Sequence, residues 1–328
     1  MAKTCILAGD IGGTTTRLAL FDSASVPGSC LFEASYAGAD FADFTAVLNR
    51  FLADCDARAA GLPIERACLG AAGPVSGTSV RLTNLDWRID ADVVSGVLRG
   101  APVRVLNDFE AAAHGIDALA PEDWVTLQAG AFRPQGSQVL IGAGTGLGVA
   151  YRVWDGGRYR VVAGEGGHAG FAPADAEQCA LLLTLLASQG RVSAEHVVSG
   201  PGLLRIHEFL RQRSGNPPCA AAESPSEVSR RAMAGGDPVA VRALDMFIAC
   251  YGSVAGDHAL SIRAHGGVYV AGGVAGKVMQ RLAAGGFLAS FNAKGPHAAL
   301  AREFPVHVVA TARLGLLGAA RIAIRDIS

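Results

Sequence analysis

The sequence is poor in the residues that mark several classes of protein. It has seven cysteines in 328 residues, an odd number, and no two of them form a C-x-x-C pair. This argues against a disulfide scaffold or a structural zinc site and fits a reducing compartment. Charged residues make up only 17% of the chain, the formal net charge is −1, and no long run of lysine and arginine is present. We therefore predict no nucleic acid partner and no binding to anionic membranes.

Long uncharged apolar segments are also missing. The apolar stretch before Asp10 is too short for a secretory signal, and no uncharged run approaches the length of a membrane span. We therefore expect a cytoplasmic protein whose partner is a small molecule. Because 50% of the residues are hydrophobic, the chain can bury the cores of two domains.

Two widespread phosphate-binding motifs fail. A P-loop requires a glycine, four residues and then Gly-Lys-Ser/Thr, and the nearest approach, at 272–278, lacks the first glycine and the hydroxyl. The dinucleotide fingerprint fails at Leu147. Its formal match at Gly164, Gly166 and Ala169 is followed by Pro173, where a helix should begin. A nicotinamide-dependent dehydrogenase is therefore disfavoured.

Glycine, by contrast, is clustered in two hairpins. The segments 7–14 and 140–148 each follow a short apolar run and lead into another. Glycines at a turn let the backbone approach a bulky anion and leave its N–H groups unscreened by side chains. The pair of loops predicts one phosphate chain that is held from two sides.

The pattern of predicted elements occurs twice. The first part of the chain gives the order βββαβαβα, and the same order restarts near Val139. In the first copy we predict a helix over 41–60, with Asp40 as N-cap and Gly61 as its stop. A long helix opening at Asp237–Pro238 carries His258 on its apolar face, where a packed, hydrogen-bonded histidine is more typical than a ligand. The duplicated α/β pattern predicts two related domains.

Asp108 is the first candidate for chemistry. It stands next to Asn107 at the carboxyl end of an apolar strand, which is where open α/β sheets bind ligands. The alternative is that it caps the helix that follows. The residues alone leave both interpretations open.

Glu165 and His168 form a second candidate pair. On a helix, Glu-x-x-His would suggest a metal site, but the two glycines between them favour a loop that offers both groups to a polar ligand. Glu195 by itself is typical of a solvated surface carboxylate.

Six ordered segments together resemble the bacterial glucokinases, hexose kinases with the actin-like ATPase fold. They are 7–21, 105–110, 139–151, 164–173, 192–204 and 267–273. The resemblance implies a duplicated actin-like (ribonuclease H-like) α/β fold of two domains with a central cleft. The implied small domain comprises 1–118 plus 309–328, and the large domain 119–308. The implied reaction transfers the γ-phosphoryl group of ATP to the 6-hydroxyl of glucose, giving glucose 6-phosphate and ADP, and a homodimer is compatible with it.

The resemblance also implies roles for individual residues. Asp108 would take the proton from the 6-hydroxyl, and the other implied sugar ligands are Asn107, Glu165, His168 and Glu195. The implied ATP-binding residues are Gly9, Asp10, Ile11, Gly12, Gly13, Thr14, Gly144, Thr145, Gly146, Gly272 and Gly273. Asp10 would reach Mg²⁺ through water, because Mg²⁺ in nucleotide sites is usually held by one or two carboxylates plus phosphate oxygens. Its alternative role is an Asx-turn that closes the hairpin.

The chain departs from the family pattern at two places. The usual Asn after Gly-Gly-Thr is Thr15, and the usual Asn-Pro before the last helix is Arg313–Leu314. The related repressor and open-reading-frame kinase group carries a Cys-x-Cys-Gly zinc motif after the equivalent of His168, where this chain has only Cys179. Zinc is therefore not expected.

The rival functions are a non-catalytic ATP-binding sugar sensor of the same fold and a kinase for another hexose. Asp108 argues against the sensor, which needs no base.

Overall fold

The computed structural model describes residues 4–24, 29–59, 62–83, 85–215 and 224–325. The chain forms two compact units. The small unit comprises Met1–Ala120 and Arg313–Ser328, and the large unit Pro121–Ala312. The sequence had suggested divisions after 118 and before 309, a few residues away from these.

The secondary structure elements are numbered along the chain. The strands are β1 Cys5–Ile11, β2 Thr15–Asp22, β3 Cys30–Ala37, β4 Ile64–Ala71, β5 Val75–Ser76, β6 Ser79–Arg81, β7 Arg88–Asp90, β8 Val103–Asn107, β9 Trp124–Gln128, β10 Gln138–Ala143, β11 Leu147–Trp154, β12 Tyr159–Gly164, β13 Gly267–Ala271 and β14 Val306–Val309. The α-helices are α1 Phe44–Ala59, α2 Ala91–Val97, α3 Asp108–Gly115, α4 Ala176–Gln189, α5 Ala194–Val197, α6 Gly200–Arg213, α7 Pro225–Ala234, α8 Pro238–Ile262, α9 Gly273–Lys277, α10 Met279–Ala283, α11 Gly286–Asn292, α12 Ala298–Ala301 and α13 Leu314–Arg325. Short 3₁₀ turns include Gly38–Asp40 and Gly166–His168.

The small unit is built on a sheet whose strand order is β3-β2-β1-β4-β8. β1 pairs antiparallel with β2 and parallel with β4, and β4 pairs parallel with β8. Successive side chains of a strand point to opposite faces, so Leu7 and Ile11 pack in the core with α1, while Ile6 and Ala8 pack with α13. A strand buried on both faces is nearly all apolar, as β1 is.

The large unit repeats this arrangement. Its sheet has the order β12-β11-β10-β13-β14-β9. Here β10 pairs antiparallel with β11 and parallel with β13, as β1 does with β2 and β4. The antiparallel edge strand β9 is an addition. The predicted duplication, and with it the actin-like α/β fold, is confirmed.

Helix α8 forms the centre of the large unit. It is long and apolar enough to span a membrane by length and composition, but 67% of its most apolar window is buried within the protein. Its Tyr251 hydroxyl donates to the Ile141 carbonyl of β10 at 3.2 Å. His258 is 9% exposed and its Nδ1 lies 2.7 Å from the Tyr151 hydroxyl. These contacts make α8 a core helix, and they confirm the prediction of a packed, hydrogen-bonded histidine.

Two local predictions are wrong. Helix α1 begins at Phe44 rather than 41, because Asp43 accepts a hydrogen bond from the Ala46 N–H at 2.8 Å and so fills the capping role assigned to Asp40. Asp40 instead ends a 3₁₀ turn. In the first hairpin, β1 continues to Ile11, so Gly9 lies within the strand and the turn is confined to 12–14. The predicted helix stop at Gly61 lies outside the described residues.

Candidate functional site

In the small unit, the carboxyl ends of three parallel strands bring two carboxylates to one edge of the sheet. Asp10 of β1 is the register partner of Gly70 in β4, and Ala71 is the partner of Asn107 in β8. Asp108 follows directly at the start of α3. The two aspartates are near enough that the charge of Asp108 raises the pKa of Asp10. This is the edge at which open α/β sheets bind ligands.

Asn107, not Asp108, is the N-cap of α3. Its Oδ1 accepts hydrogen bonds from the N–H groups of Phe109 at 2.9 Å and Glu110 at 3.2 Å. Its Nδ2 donates to the Gly73 carbonyl at 3.3 Å, which ties the cap to the loop after β4. Asp108 is the first helical residue, and its Oδ1 shares the Phe109 N–H at 2.9 Å. The interpretation of Asp108 as the helix cap is therefore wrong.

Asp10 lies in β1 rather than in the turn, and its surroundings disfavour its charge. Burial, and after it the charge of Asp108, raise the pKa of Asp10 to about 6, although Arg17 acts to lower it. Arg17 is the register partner of Asp10 on β2, with its NH1 3.8 Å from Oδ2. A Cβ at Gly315, on α13, would stand 2.9 Å from the Asp10 carboxyl carbon. The close approach of α13 therefore covers this carboxylate.

The two departures from the family pattern leave the local structure intact, because backbone hydrogen bonds and one ion pair hold both segments. Thr15 accepts the Gly12 N–H with its carbonyl oxygen at 3.0 Å, a bond that any residue can form. The carbonyl of Arg313 accepts from the Leu317 N–H at 2.8 Å in the first turn of α13, and its guanidinium lies 2.9 Å from the Glu33 carboxylate on β3. Helix α13 therefore begins normally without the Asn-Pro pair.

In the large unit, two glycine turns lie against each other. The turn 144–146 joins β10 to β11 and is closed by a bond of 2.8 Å from the Gly144 N–H to the Gly146 carbonyl. Gly272 has a φ of +92°, and a Cβ there would lie 2.5 Å from the Ala143 carbonyl oxygen. Only glycine fits such a position without strain. The structure thus brings together the predicted nucleotide-binding glycines of this unit.

Glu165 and His168 occur on a short 3₁₀ turn that follows β12, and not on an α-helix. The Glu165 Oε2 and His168 Nε2 are 3.9 Å apart, and the side chains are 85% and 55% exposed. A Cβ at Gly167 would stand 2.0 Å from the Leu147 carbonyl oxygen, so this turn packs directly on the start of β11. Both side chains are thereby available to a polar ligand.

Glu195 joins the same neighbourhood from α5. Its Oε2 accepts a hydrogen bond from the Leu147 N–H at 2.8 Å. The residue is half-buried, so it is not the fully solvated surface carboxylate that the residue alone would suggest. The Ala194 N–H donates to the Ala169 carbonyl at 2.8 Å, which holds α5 beside the turn that carries His168. Three of the predicted sugar ligands therefore surround Leu147.

No group of three or more His, Cys, Asp and Glu side chains within the described ranges is arranged to hold a metal ion. A Mg²⁺ ion in a nucleotide site needs fewer protein ligands, because phosphate oxygens and water supply the rest. The Asp10 and Asp108 pair fits this case, since a divalent cation nearby would offset the repulsion of the two carboxylates.

Sequence reasoning missed three contributors to these sites. They are Arg17 beside Asp10, Gly315 over it, and the backbone N–H of Leu147 that binds Glu195. Only Arg17 left a signal, because hairpin register across the glycine turn pairs it with Asp10.

Comparisons with known proteins agree with this geometry. A family model described as Glucokinase matches residues 7–326. A glucokinase from Synechocystis sp. is 40% identical, with 96% of each chain covered. A glucokinase from Nostoc sp. is 37% identical, over 98% of this chain and 99% of the relative. The crystal structure of a glucokinase from an Antarctic psychrotroph superposes with a TM-score of 0.84 at 30% identity, covering 98% of this chain and 99% of that one.

Proposed function

Since the chain belongs to the glucokinase family, we propose that Asp108 is the base of its phosphoryl transfer. The reaction moves the γ-phosphoryl group of ATP to glucose and yields glucose 6-phosphate and ADP. The assignment rests on the different positions of Asn107 and Asp108 at the start of α3. Asn107 fills the cap, so the adjacent carboxylate is not needed for the fold of the helix.

Asp108 accepts the proton of the 6-hydroxyl as the sugar oxygen bonds to the γ-phosphorus and the bond to ADP breaks. A positioned base of this kind contributes about 10²–10⁴-fold. The remaining acceleration comes from alignment of the reactants and stabilisation of charge on the phosphoryl oxygens.

The sugar is recognised by side chains with both donor and acceptor capacity. Glu165 and His168 stand exposed and 3.9 Å apart, a spacing at which both can reach neighbouring hydroxyls of one ring. Glu195 has one carboxylate oxygen bonded to the Leu147 N–H, and its second oxygen can accept a hydroxyl proton. Asn107 also takes part, because the second N–H of its side-chain amide can donate a hydrogen bond to the sugar.

The nucleotide is bound by backbone more than by side chains. The turns 12–14 and 144–146 offer N–H groups to the phosphates, and Gly272 and Gly273 leave room for the adenosine. Asp10 would hold Mg²⁺ through water, and the ion would neutralise phosphate charge during transfer. Arg17 keeps the Asp10 carboxylate oriented at the end of β1.

The proposal is tested by a coupled assay of ADP release with ATP, Mg²⁺ and a panel of hexoses. We expect glucose to be the best acceptor, with a turnover of about 1–100 s⁻¹. Absence of sugar-dependent ADP release with every common hexose would contradict it. A cytoplasmic location and a homodimer stay predictions, to be checked by cell fractionation and by light scattering.

A further inference from the structure

The side chain of Glu195 lies against the glycine turn 144–146. Its Oε2 accepts the Leu147 N–H at 2.8 Å, immediately after the turn. A Cβ built on Gly146 would stand 2.5 Å from the same Oε2 and 3.2 Å from the carboxyl carbon. The carboxylate therefore lies directly on the backbone of Gly146, and only a glycine leaves room for it.

The segment that follows Glu195 holds the other end of the same turn. The Gly200 N–H donates to the Gly144 carbonyl at 2.8 Å. Ser199 links the two contacts, because its hydroxyl donates to the Glu195 carbonyl at 2.7 Å and accepts the Gly202 N–H at 3.0 Å. The turn is thus fixed at both ends by residues 195–200.

The same segment is tied to the turn that carries His168. Ser193 forms an isolated bridge with Gly170, and the Ala194 N–H donates to the Ala169 carbonyl. A displacement of α5 would therefore move Glu195 relative to both neighbouring turns. Glu195 is the one side chain of this segment that has a charged group on the glycine turn.

We propose that Glu195 is a positioning residue that couples the sugar site to the phosphate-binding turn. Hydroxyls bound at its free carboxylate oxygen fix the other oxygen on the Leu147 N–H, and this holds the turn 144–146 in the shape that receives phosphate. Coupling between two binding sites is reciprocal, so glucose raises the affinity for nucleotide by the factor by which nucleotide raises the affinity for glucose. The inference rests on the proposed function, which assigns sugar to Glu195 and phosphate to the turn.

The test is a substitution in the phosphate turn that is read out on the sugar. Gly146→Ala places a methyl group on the Glu195 carboxylate, whereas Gly276→Ala, on α9 of the same unit, points its methyl into open space. Glucose binding is measured by calorimetry on the full chain without nucleotide. We expect Gly146→Ala to weaken glucose binding by at least about fivefold and Gly276→Ala to change it by less than about twofold. Equal glucose affinity in Gly146→Ala and the parent would overturn the proposal.

A double-mutant cycle gives the second readout. In a Glu195→Gln background, Gly146→Ala should cost less glucose affinity than it does in the parent, because the charged contact it disturbs has already been weakened. Additive losses would contradict the coupling. Glu195→Asp retains the charge but shortens the side chain, so it remains informative if Gly146→Ala fails to fold. It should lower the factor by which glucose raises affinity for Mg²⁺ and a non-hydrolysable ATP analogue, and an unchanged factor would overturn the proposal.

Failure of the proposed function gives a different result. A parent chain that binds no glucose, or a nucleotide analogue that fails to bind, would contradict the sugar and phosphate assignments themselves. A parent that binds both ligands with independent affinities would contradict the coupling alone.

Discussion

The two units share one strand order but differ in where they carry charge. In the small unit, β1 presents Asp10 beside Gly70 of β4, whereas in the large unit β10 ends at Ala143, next to Gly272. Strand β8 leads into Asn107–Asp108, while β14 leads into Ala310. Duplication thus preserved the sheet, and among the described residues only the small unit has carboxylates at the carboxyl ends of its parallel strands.

The large unit instead carries its polar groups on segments outside the sheet. Glu165 and His168 follow β12, and Glu195 stands on α5. These side chains are half-buried or exposed, while Asp10 is in an environment that raises its pKa. Perturbed carboxylates are typical of reacting groups, and accessible polar pairs are typical of ligand recognition. We therefore propose that the small unit carries the reaction chemistry and that the large unit provides most of the sugar recognition.

Asp108→Asn is expected to have the largest effect, because it tests the reaction chemistry proposed for the small unit. The substitution keeps the shape of the side chain and removes the base, so kcat should fall by about 10²–10⁴-fold while glucose still binds. Asp90→Asn is the matched control, because Asp90 is a true N-cap in the same unit and asparagine caps equally well. Steady-state kinetics on both variants decide the matter. An Asp108→Asn turnover within about threefold of the parent would leave Asp108 without a catalytic role.

A second prediction concerns the stability of the small unit. The folded state raises the pKa of Asp10 from 3.8 to about 6, so the unfolded chain releases its proton first as pH rises. The resulting destabilisation is absent below about pH 4 and complete above about pH 6. Asp10→Asn removes it, and the free energy of unfolding should rise relative to the parent by up to about 2–3 kcal/mol at pH 7.5. Denaturant titrations without nucleotide or Mg²⁺ measure this difference. The same gain at pH 4 and pH 7.5 would contradict it.

The third prediction concerns the large unit. Glu165→Gln and His168→Ala should each weaken glucose binding by about 1.5–3 kcal/mol, because each removes a charge-assisted hydrogen bond. Glu122→Gln and His297→Ala, at exposed positions of the same unit, serve as controls. Calorimetry with glucose gives the affinities. Unchanged glucose affinity together with weaker ATP binding would place both residues on the wrong ligand.

The smallest expected effect concerns Arg313, one of the departures from the family pattern. Arg313 pairs with Glu33 at 2.9 Å, but its side chain is 41% exposed. Surface ion pairs typically contribute about 0–1 kcal/mol, so Arg313→Ala should lower the free energy of unfolding by less than about 1 kcal/mol and leave kcat unchanged. Chemical denaturation and the coupled assay check both. A loss above about 2 kcal/mol would mean that this pair replaces the missing Asn-Pro in stabilising α13.

Much of the fold could be predicted from local pattern. The glycine hairpins, the repeated βββ order and the start signal at Asp237 all correspond to observed elements, and Asp237 caps its helix. Where two equivalent residues compete for a helix cap, local pattern predicted the wrong residue at α1 and left the choice open at α3. Asp43 rather than Asp40 caps α1, and Asn107 rather than Asp108 caps α3.

Other features of the candidate site could not be predicted from local pattern, because they depend on contacts between distant segments. The Asn107 amide is held by the Gly73 carbonyl, 34 residues away, and Glu195 is held by the Leu147 N–H, 48 residues away. Neither pair has a fixed spacing that a motif could record. The pKa of Asp10 is raised first by burial and then by the charge of Asp108, which only the parallel register of β1, β4 and β8 brings near. The roles given to the site residues stay predictions.

One crossed measurement tests the assignment of chemistry to the small unit and recognition to the large one. The kcat for glucose phosphorylation and the Kd for glucose without nucleotide are determined for the parent, Asp108→Asn and Glu165→Gln. We predict that Asp108→Asn loses at least about 10²-fold in kcat and that Glu165→Gln loses at least about tenfold in glucose affinity. The loss of glucose affinity in Glu165→Gln should exceed that in Asp108→Asn. The reverse pattern, with glucose affinity lost in Asp108→Asn and kcat lost at full affinity in Glu165→Gln, would contradict it.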